Sequence, residues 1–265
     1  MRSRASGFNV FHQQKGMGEM KYKIISGRYE SGTEEQQAGY AQLFGGDVQH
    51  RFDLYFHWYN LIHEVGHCLV EQYGKQMPQV KEEMFVNEFA VAYYRYAGES
   101  ERLGELQGIL QGIIDQMPSP VPEGETFLSF YERIWGTEEL MQVLTYGYFQ
   151  LNSVLEAMKP NRGLAAVAAE LGATLREDVR AAGATITEAD SQAAGATIKE
   201  ANMQASEATG DATLRTCDAT VSSAGATAFL ETAVANLKAL GLTVPEIKLE
   251  LTDNPMIQCA QPEEE

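Results

Sequence analysis

The sequence predicts an α+β fold that is mostly helical, with a small sheet. Apolar residues recur at helical spacing through most of residues 81–158, which favours packed amphipathic helices. Two short segments, 21–29 and 244–251, have the patterns of strands instead. The third observation is the motif H-E-x-x-H at residues 63–67 inside an apolar run, which predicts a metal-binding helix.

The strand predicted at 21–29 is followed by a turn at Gly45-Gly46 and then by the helix that carries the motif. This helix is predicted to end at Gly74, because glycine is common directly after a helix and Pro78 follows soon afterwards. Gly66 inside the helix costs about 1 kcal/mol relative to alanine. We therefore expect a sheet or a second helix to pack closely against Gly66.

The motif combines two candidate metal ligands with a candidate catalytic base. His63 and His67 are four residues apart, so their imidazoles lie on one helix face and can reach the same ion. A catalytic zinc site keeps three protein ligands and an open position for water. Glu64 is one step round the helix, where it would take a proton from that water and later deliver it to the leaving amine.

A third ligand is expected from the next predicted helix, at 81–94, which carries three glutamates. Glu83 is the first choice, because Asn87 one turn later could hydrogen-bond a ligating histidine and fix its tautomer. Glu88 is the runner-up, since it has an alanine at the corresponding later position. Glu82 is the third candidate.

These two segments together resemble the ImmA/IrrE family of zinc-dependent metallopeptidases. The family pattern is H-E-x-x-H followed by E-x-x-A-N-x-F-A, and the chain has matching residues at 63–67 and 83–90. Val86 stands where the family has alanine, and Tyr-Tyr-Arg-Tyr at 93–96 replaces the family's Leu-Leu-Met-Pro. The resemblance covers about residues 20–100.

The resemblance implies a compact zincin-like core, with a short sheet beside the H-E-x-x-H helix. It implies His63, His67 and Glu83 as zinc ligands and Glu64 as the catalytic acid/base. It also implies intracellular cleavage of regulatory proteins such as repressors.

Hydrolysis further requires a hydrogen-bond donor for the developing oxyanion. The sequence offers Tyr93, Tyr94, Tyr96 and His57 nearby, and it does not select among them. His57 is six residues before His63, so we expect it to point away from the metal and to pack beside Trp58.

The remaining part of the first predicted domain, 1–160, is helical. Apolar spacing predicts one helix over about 103–117 and a further helical region over about 125–158. A proline-rich segment at 118–122 separates them, and Pro160 ends the second. These helices are expected to cover the back of the metallopeptidase core.

Residues 161–265 form a second predicted region, which is rich in Ala, Gly and Thr. Gly-Ala-Thr recurs at positions 172, 183, 195 and 225, with a variant at 210, and apolar residues follow a spacing of about 3.67. This pattern predicts a long helix or helical pair that serves as a spacer or an arm for self-association. A membrane-surface helix is the alternative, which the scarcity of basic residues disfavours. The region ends in a short strand and an acidic tail.

Composition limits the partners and the compartment. The formal net charge of −17 argues against nucleic-acid binding, which requires clustered Lys and Arg. No run of about eighteen apolar residues predicts a membrane span. The three cysteines, Cys68, Cys217 and Cys259, are widely spaced and odd in number, which fits a reducing cytoplasm. We expect Cys68 to be a buried apolar residue.

The sequence therefore favours a cytoplasmic zinc metallopeptidase that acts on a protein or peptide substrate. The alternative is a non-catalytic zinc-binding scaffold that acts through its C-terminal helical arm. A fourth protein ligand at the metal would favour the scaffold.

Overall fold

The computed structural model describes residues 3–6, 9–14, 21–176 and 223–253, with side chains over 22–176 and 223–253. A four-stranded sheet has the order β1-β2-β3-β4, with strands at Ser3–Ser6, Asn9–Gln14, Lys21–Gly27 and Glu246–Thr252. The first three strands are antiparallel neighbours, and β4 runs parallel to β3. The strands predicted at 21–29 and 244–251 are thus confirmed as β3 and β4.

Helices make up most of the described chain, which confirms the mostly helical α+β prediction. They are α1 (Glu34–Phe44), α2 (Val48–Phe52), a π-helical segment (Asp53–Tyr59), α3 (Asn60–Gln72), α4 (Gln79–Tyr96), α5 (Ser100–Ile114), α6 (Phe127–Ile134), α7 (Val143–Met158), α8 (Leu164–Glu170) and α9 (Ser223–Ala239). Among the described helices, none is both long and apolar enough to cross a bilayer.

The helix that carries the motif begins earlier than its pattern suggested. Helix α2, the π-helical segment and α3 follow one another without a break over residues 48–72. The turn predicted at Gly45-Gly46 is confirmed, since their φ angles are 61° and 51°, values that favour glycine. A π-helical turn shifts the helix face that follows it, and such turns are frequent at functional sites.

The helical region predicted over 125–158 is two helices. Helix α6 ends at Ile134 and α7 begins at Val143. Gly136 has a φ of 78°, a backbone conformation that interrupts an α-helix. Leu140 in the intervening loop is buried against α6 and α7, so the break is packed into the fold.

The described parts of the C-terminal region pack on the same core as the motif helix. Leu164 of α8 and Leu230 and Leu237 of α9 belong to one apolar cluster with Leu61 of α3 and Phe89 of α4. Helix α9 lies on this core through apolar side chains, and β4 completes the sheet beside it.

The Gly-Ala-Thr copies occur in different local structures. The copy at 172 lies directly after α8, where Gly172 has a φ of 80° and the helix has ended, while the copy at 225 lies inside α9. The copies at 183, 195 and 210 lie outside the described residues. The domain boundary at residue 160 and the repeat arm therefore stay predictions.

Candidate metal centre

The site forms where α3 crosses α4, and Gly66 permits the contact. A Cβ atom added to Gly66 would lie 2.9 Å from Cβ of Val86 and 3.3 Å from its Cα. Carbon atoms normally pack at about 3.5–4.0 Å, so a side chain at position 66 would push the helices apart. The close packing expected at Gly66 is confirmed, and the neighbour is the second helix.

This contact brings together His63 and His67 from α3 and Glu83 from α4. Glu83 Oε2 lies 3.5 Å from His63 Nε2, and Glu83 Oε1 lies 3.5 Å from His67 Nε2. All three donor atoms lie within 4.8 Å of one another. Within the described residues, this is the one group of three or more His, Cys, Asp or Glu side chains that meets this spacing. The three residues could therefore hold a metal ion.

The 3.5 Å separations between Glu83 and the two histidines are of the size that a shared metal ion would require. Zinc binds imidazole nitrogen and carboxylate oxygen at about 2.0–2.2 Å, which separates two donors of a tetrahedron by roughly 3.3–3.6 Å. His63 Nε2 is also a fully buried polar atom, and it makes no hydrogen bond with any described residue. Buried polar atoms of this kind usually have a partner, and a metal ion would supply one here.

Each histidine is oriented by a different residue of α4. His63 Nδ1 donates to Asn87 Oδ1 at 3.0 Å, while Asn87 Nδ2 donates to the Glu83 carbonyl at 2.9 Å. His67 Nδ1 donates to Glu82 Oε1 at 2.9 Å. Because both acceptors require a protonated Nδ1, Nε2 is the atom of each ring that can ligate a metal ion, once it carries no proton.

Asn87 thus makes the hydrogen bond to a histidine that the sequence suggested for it. Glu82, which ranked third as a ligand, instead orients His67 from behind. The two adjacent glutamates point about 100° apart on α4, so one can reach the metal position while the other reaches the ring. Tyr59 was missed: its hydroxyl donates to Asn87 Oδ1 at 3.0 Å. Its position one turn before His63 is the sequence signal that could have revealed it.

The pKa values of the two histidines are shifted in opposite directions. Burial lowers the pKa of His63 to about 4, and the positive charge of His67 acts in the same direction. Burial also lowers the pKa of His67, but the charge of Glu83 and hydrogen bonds to Glu82 and Glu83 outweigh it and raise this pKa to about 10. The chain without metal therefore holds a proton on His67, at the position where a metal cation would replace it.

Glu64 lies beside this group without belonging to it. It is 1% exposed, and its Oε1 accepts a hydrogen bond from Asn60 Nδ2 at 3.3 Å. Glu64 directly follows His63 on α3, and its negative charge contributes to the raised pKa of His67. A carboxylate beside a bound metal ion would be able to accept a proton from a water molecule on that ion.

Glu88, the runner-up ligand, is engaged elsewhere. Its Oε2 accepts a hydrogen bond from Arg162 Nη1 at 2.9 Å, and the same guanidinium also binds Glu170. Glu88 is therefore outside the three-residue group and connects α4 to the segment around α8.

Three of the four residues first considered as oxyanion donors make hydrogen bonds elsewhere in the fold. Tyr94 donates to the carbonyl of Trp58, and Tyr93 is hydrogen-bonded to Asn236 of α9. His57 is fully buried and bonds Asp53 Oδ1 at 2.6 Å and the Gly27 carbonyl at 2.9 Å, so it fastens the π-helical segment to the end of β3. Cys68 is buried, as expected, with its thiol pKa raised by burial.

Comparisons with protein-family models, with curated proteins and with solved structures gave no match to this chain. The resemblance to the ImmA/IrrE family stays a prediction based on the two motifs. The site is interpreted from its own residues and their geometry.

Proposed function

We propose that this protein is a cytoplasmic zinc metallopeptidase that hydrolyses peptide bonds of an intracellular protein substrate. The observation that carries the proposal is the convergence of donor atoms from His63, His67 and Glu83 within 4.8 Å, with the buried Glu64 carboxylate beside them. Two histidines and one glutamate form a ligand set of catalytic zinc sites. The resemblance to ImmA/IrrE metallopeptidases supports the same assignment.

The side chains around the site then have distinct roles. When bound, zinc supplies a Lewis acid and lowers the pKa of its water toward about 7. Glu64 accepts a proton from the attacking water and delivers it to the leaving amine. Asn87 and Glu82 hold the imidazoles of His63 and His67 in the tautomer that ligates through Nε2.

The substrate is proposed from charge and access. The Glu83 side chain is 18% exposed, whereas those of His63 and His67 are 6% and 4% exposed, so access to the site is from the Glu83 side. A chain with a formal net charge of −17 favours the approach of basic peptides. Self-association through residues 161–265 remains a further proposal.

The decisive experiment compares zinc-loaded wild type with Glu64→Gln. We expect both to bind one zinc ion per chain, and we expect Glu64→Gln to lose hydrolysis of a quenched fluorescent peptide library by about 10²–10⁴-fold. Glu71→Gln, on the same helix and outside the donor group, is the matched control and should keep wild-type activity. Full activity in Glu64→Gln, or no zinc-dependent cleavage by wild type, would contradict the proposal.

A structural zinc site is the second candidate, and the strong burial of His63 and His67 favours it. Structural zinc takes four protein ligands, whereas the described residues supply three. Absorption spectra of the cobalt-substituted protein distinguish the two. A structural site would be insensitive to added acetohydroxamate, and an open catalytic site would change its spectrum on binding it.

A further inference from the structure

Tyr55 lies about two turns before His63 in the continuous helical segment that carries the motif. It lies in the π-helical segment, and its ring stacks on that of Tyr59 with centroids 6.2 Å apart and planes 16° apart. Tyr59 in turn donates to Asn87 Oδ1, which accepts from His63. Tyr55 is thus the aromatic residue next to Tyr59, which helps Asn87 to orient the proposed ligand His63.

The hydroxyl of Tyr55 is available for a ligand. The residue is only 4% exposed, and its hydroxyl makes no hydrogen bond with any described residue. Among the described residues, three fully buried side-chain atoms lack a hydrogen bond, and they are Ser26 Oγ, Trp58 Nε1 and His63 Nε2. The Tyr55 hydroxyl is not among them, so it keeps some accessible surface although the residue as a whole is nearly buried. A buried tyrosine usually finds a partner for this group.

The ring of Tyr55 is nearly parallel to that of Tyr59, whose hydroxyl reaches Asn87 beside His63, so the Tyr55 side chain extends on the helix side that carries the metal ligands. Burial raises the pKa of Tyr55 well above the usual range for tyrosine, and the negative charges of Glu64 and Glu83 raise it further. Its hydroxyl therefore stays protonated at neutral pH. Only its donor capacity is relevant there, since Glu64 and Glu83 already supply acceptors.

We propose that Tyr55 is a catalytic residue that donates a hydrogen bond to the oxyanion formed when water attacks the scissile carbonyl. This role rests on the proposed peptidase function. Tyr55 keeps its proton throughout, so no bond to it forms or breaks, and the proton of the attacking water still passes through Glu64. The donor is useful because it is held in place before the charge develops.

Tyr55 differs from the neighbouring tyrosines in this respect. The hydroxyl of Tyr59 donates to Asn87, and that of Tyr94 donates to the carbonyl of Trp58. Removing either hydroxyl leaves an acceptor without its donor and disturbs packing around the site. Tyr55→Phe removes an unbonded hydroxyl, so a purely structural tyrosine would show no effect.

The test measures binding of a phosphonamidate dipeptide to the zinc-loaded full chain by calorimetry, because its tetrahedral anionic oxygens resemble the oxyanion. We expect Tyr55→Phe to weaken binding by about 10- to 100-fold, the usual range for one hydrogen bond to a charged group. Zinc affinity and resistance to urea should stay unchanged. Tyr29→Phe, whose hydroxyl has a 3.5 Å contact with the Gln37 carbonyl, is the control and should bind as wild type does.

Equal binding by wild type and Tyr55→Phe would overturn the assignment, and so would absence of binding by wild type. Peptide hydrolysis is scored separately, with kcat expected to fall about 10²–10³-fold in Tyr55→Phe at unchanged KM. If wild type binds the probe and Tyr55→Phe binds it weakly, yet no peptide is cleaved, then Tyr55 is an anion donor and the peptidase proposal alone fails.

Discussion

The contact between Gly66 and Val86 predicts a specific cost for a single methyl group. In Gly66→Ala the new Cβ would lie 2.9 Å from Val86 Cβ, well inside normal packing distance. Such overpacking costs about 1–3 kcal/mol, while replacing a helical glycine with alanine returns about 1 kcal/mol. We therefore expect a net loss of about 0–2 kcal/mol in the free energy of unfolding.

Gly108→Ala isolates the steric part of this effect. Gly108 is an exposed residue of α5, and no described atom lies within 4 Å of a Cβ added there. This control should gain about 1 kcal/mol from helix propensity alone. The difference between the two variants should therefore be about 1–3 kcal/mol, the cost of the clash.

Substitutions at Val86 test whether its Cβ atom causes the clash with the methyl group added in Gly66→Ala. Val86→Gly removes the Cβ at 2.9 Å and leaves the Cα at 3.3 Å, so it should rescue Gly66→Ala with a favourable coupling of about 1–2 kcal/mol. Val86→Ala removes both Cγ atoms, including Cγ1 at 3.1 Å, but keeps the Cβ at 2.9 Å, so its coupling should be clearly smaller.

Urea unfolding followed by circular dichroism gives these free energies, and chelator competition gives the zinc affinity. Because Glu83 lies one turn before Val86, pushing α4 outward should also weaken zinc binding by roughly tenfold. If Gly66→Ala and Gly108→Ala are equally stable, and Val86→Gly shows no coupling, the helices do not meet at this point and the reasoning is refuted.

Three further predictions concern the metal centre. Glu82→Gln should lower zinc affinity by about 10–100-fold in chelator competition, because it weakens the acceptor for His67. An unchanged zinc affinity would contradict the role of Glu82 in orienting His67. Glu88→Gln should leave zinc affinity unchanged, since Glu88 pairs with Arg162; a loss as large as that in Glu83→Gln would place Glu88 in the site. Zinc must displace the proton of His67, whose raised pKa of about 10 keeps it protonated below that pH. Zinc affinity should thus fall about tenfold per unit as pH drops from 8 to 6, with one proton released in calorimetry, and a pH-independent affinity would contradict this.

Local sequence was sufficient wherever helix geometry alone sets a distance. His63 and His67 share a face because four residues make about one turn, and Asn87 was identified as a partner by the same spacing from Glu83. The break after Ile134 could not be read from apolar spacing, because residues on both sides of it keep a helical period and the interruption depends on the backbone conformations of Trp135 and Gly136.

The choice among the glutamates of α4 was decided only by the packing of two helices. Glu83 and Glu88 are about 140° apart around α4, and the spacing to Asn87 favoured Glu83 without excluding Glu88. The Gly66–Val86 contact selects the face of Glu83, and Arg162 engages Glu88. The open hydroxyl of Tyr55 and the addition of β4 to the sheet likewise depend on residues far apart in the chain. Short-range spacing follows from the regular helix, whereas these features follow from which surfaces are buried together, and that is a property of the folded molecule as a whole.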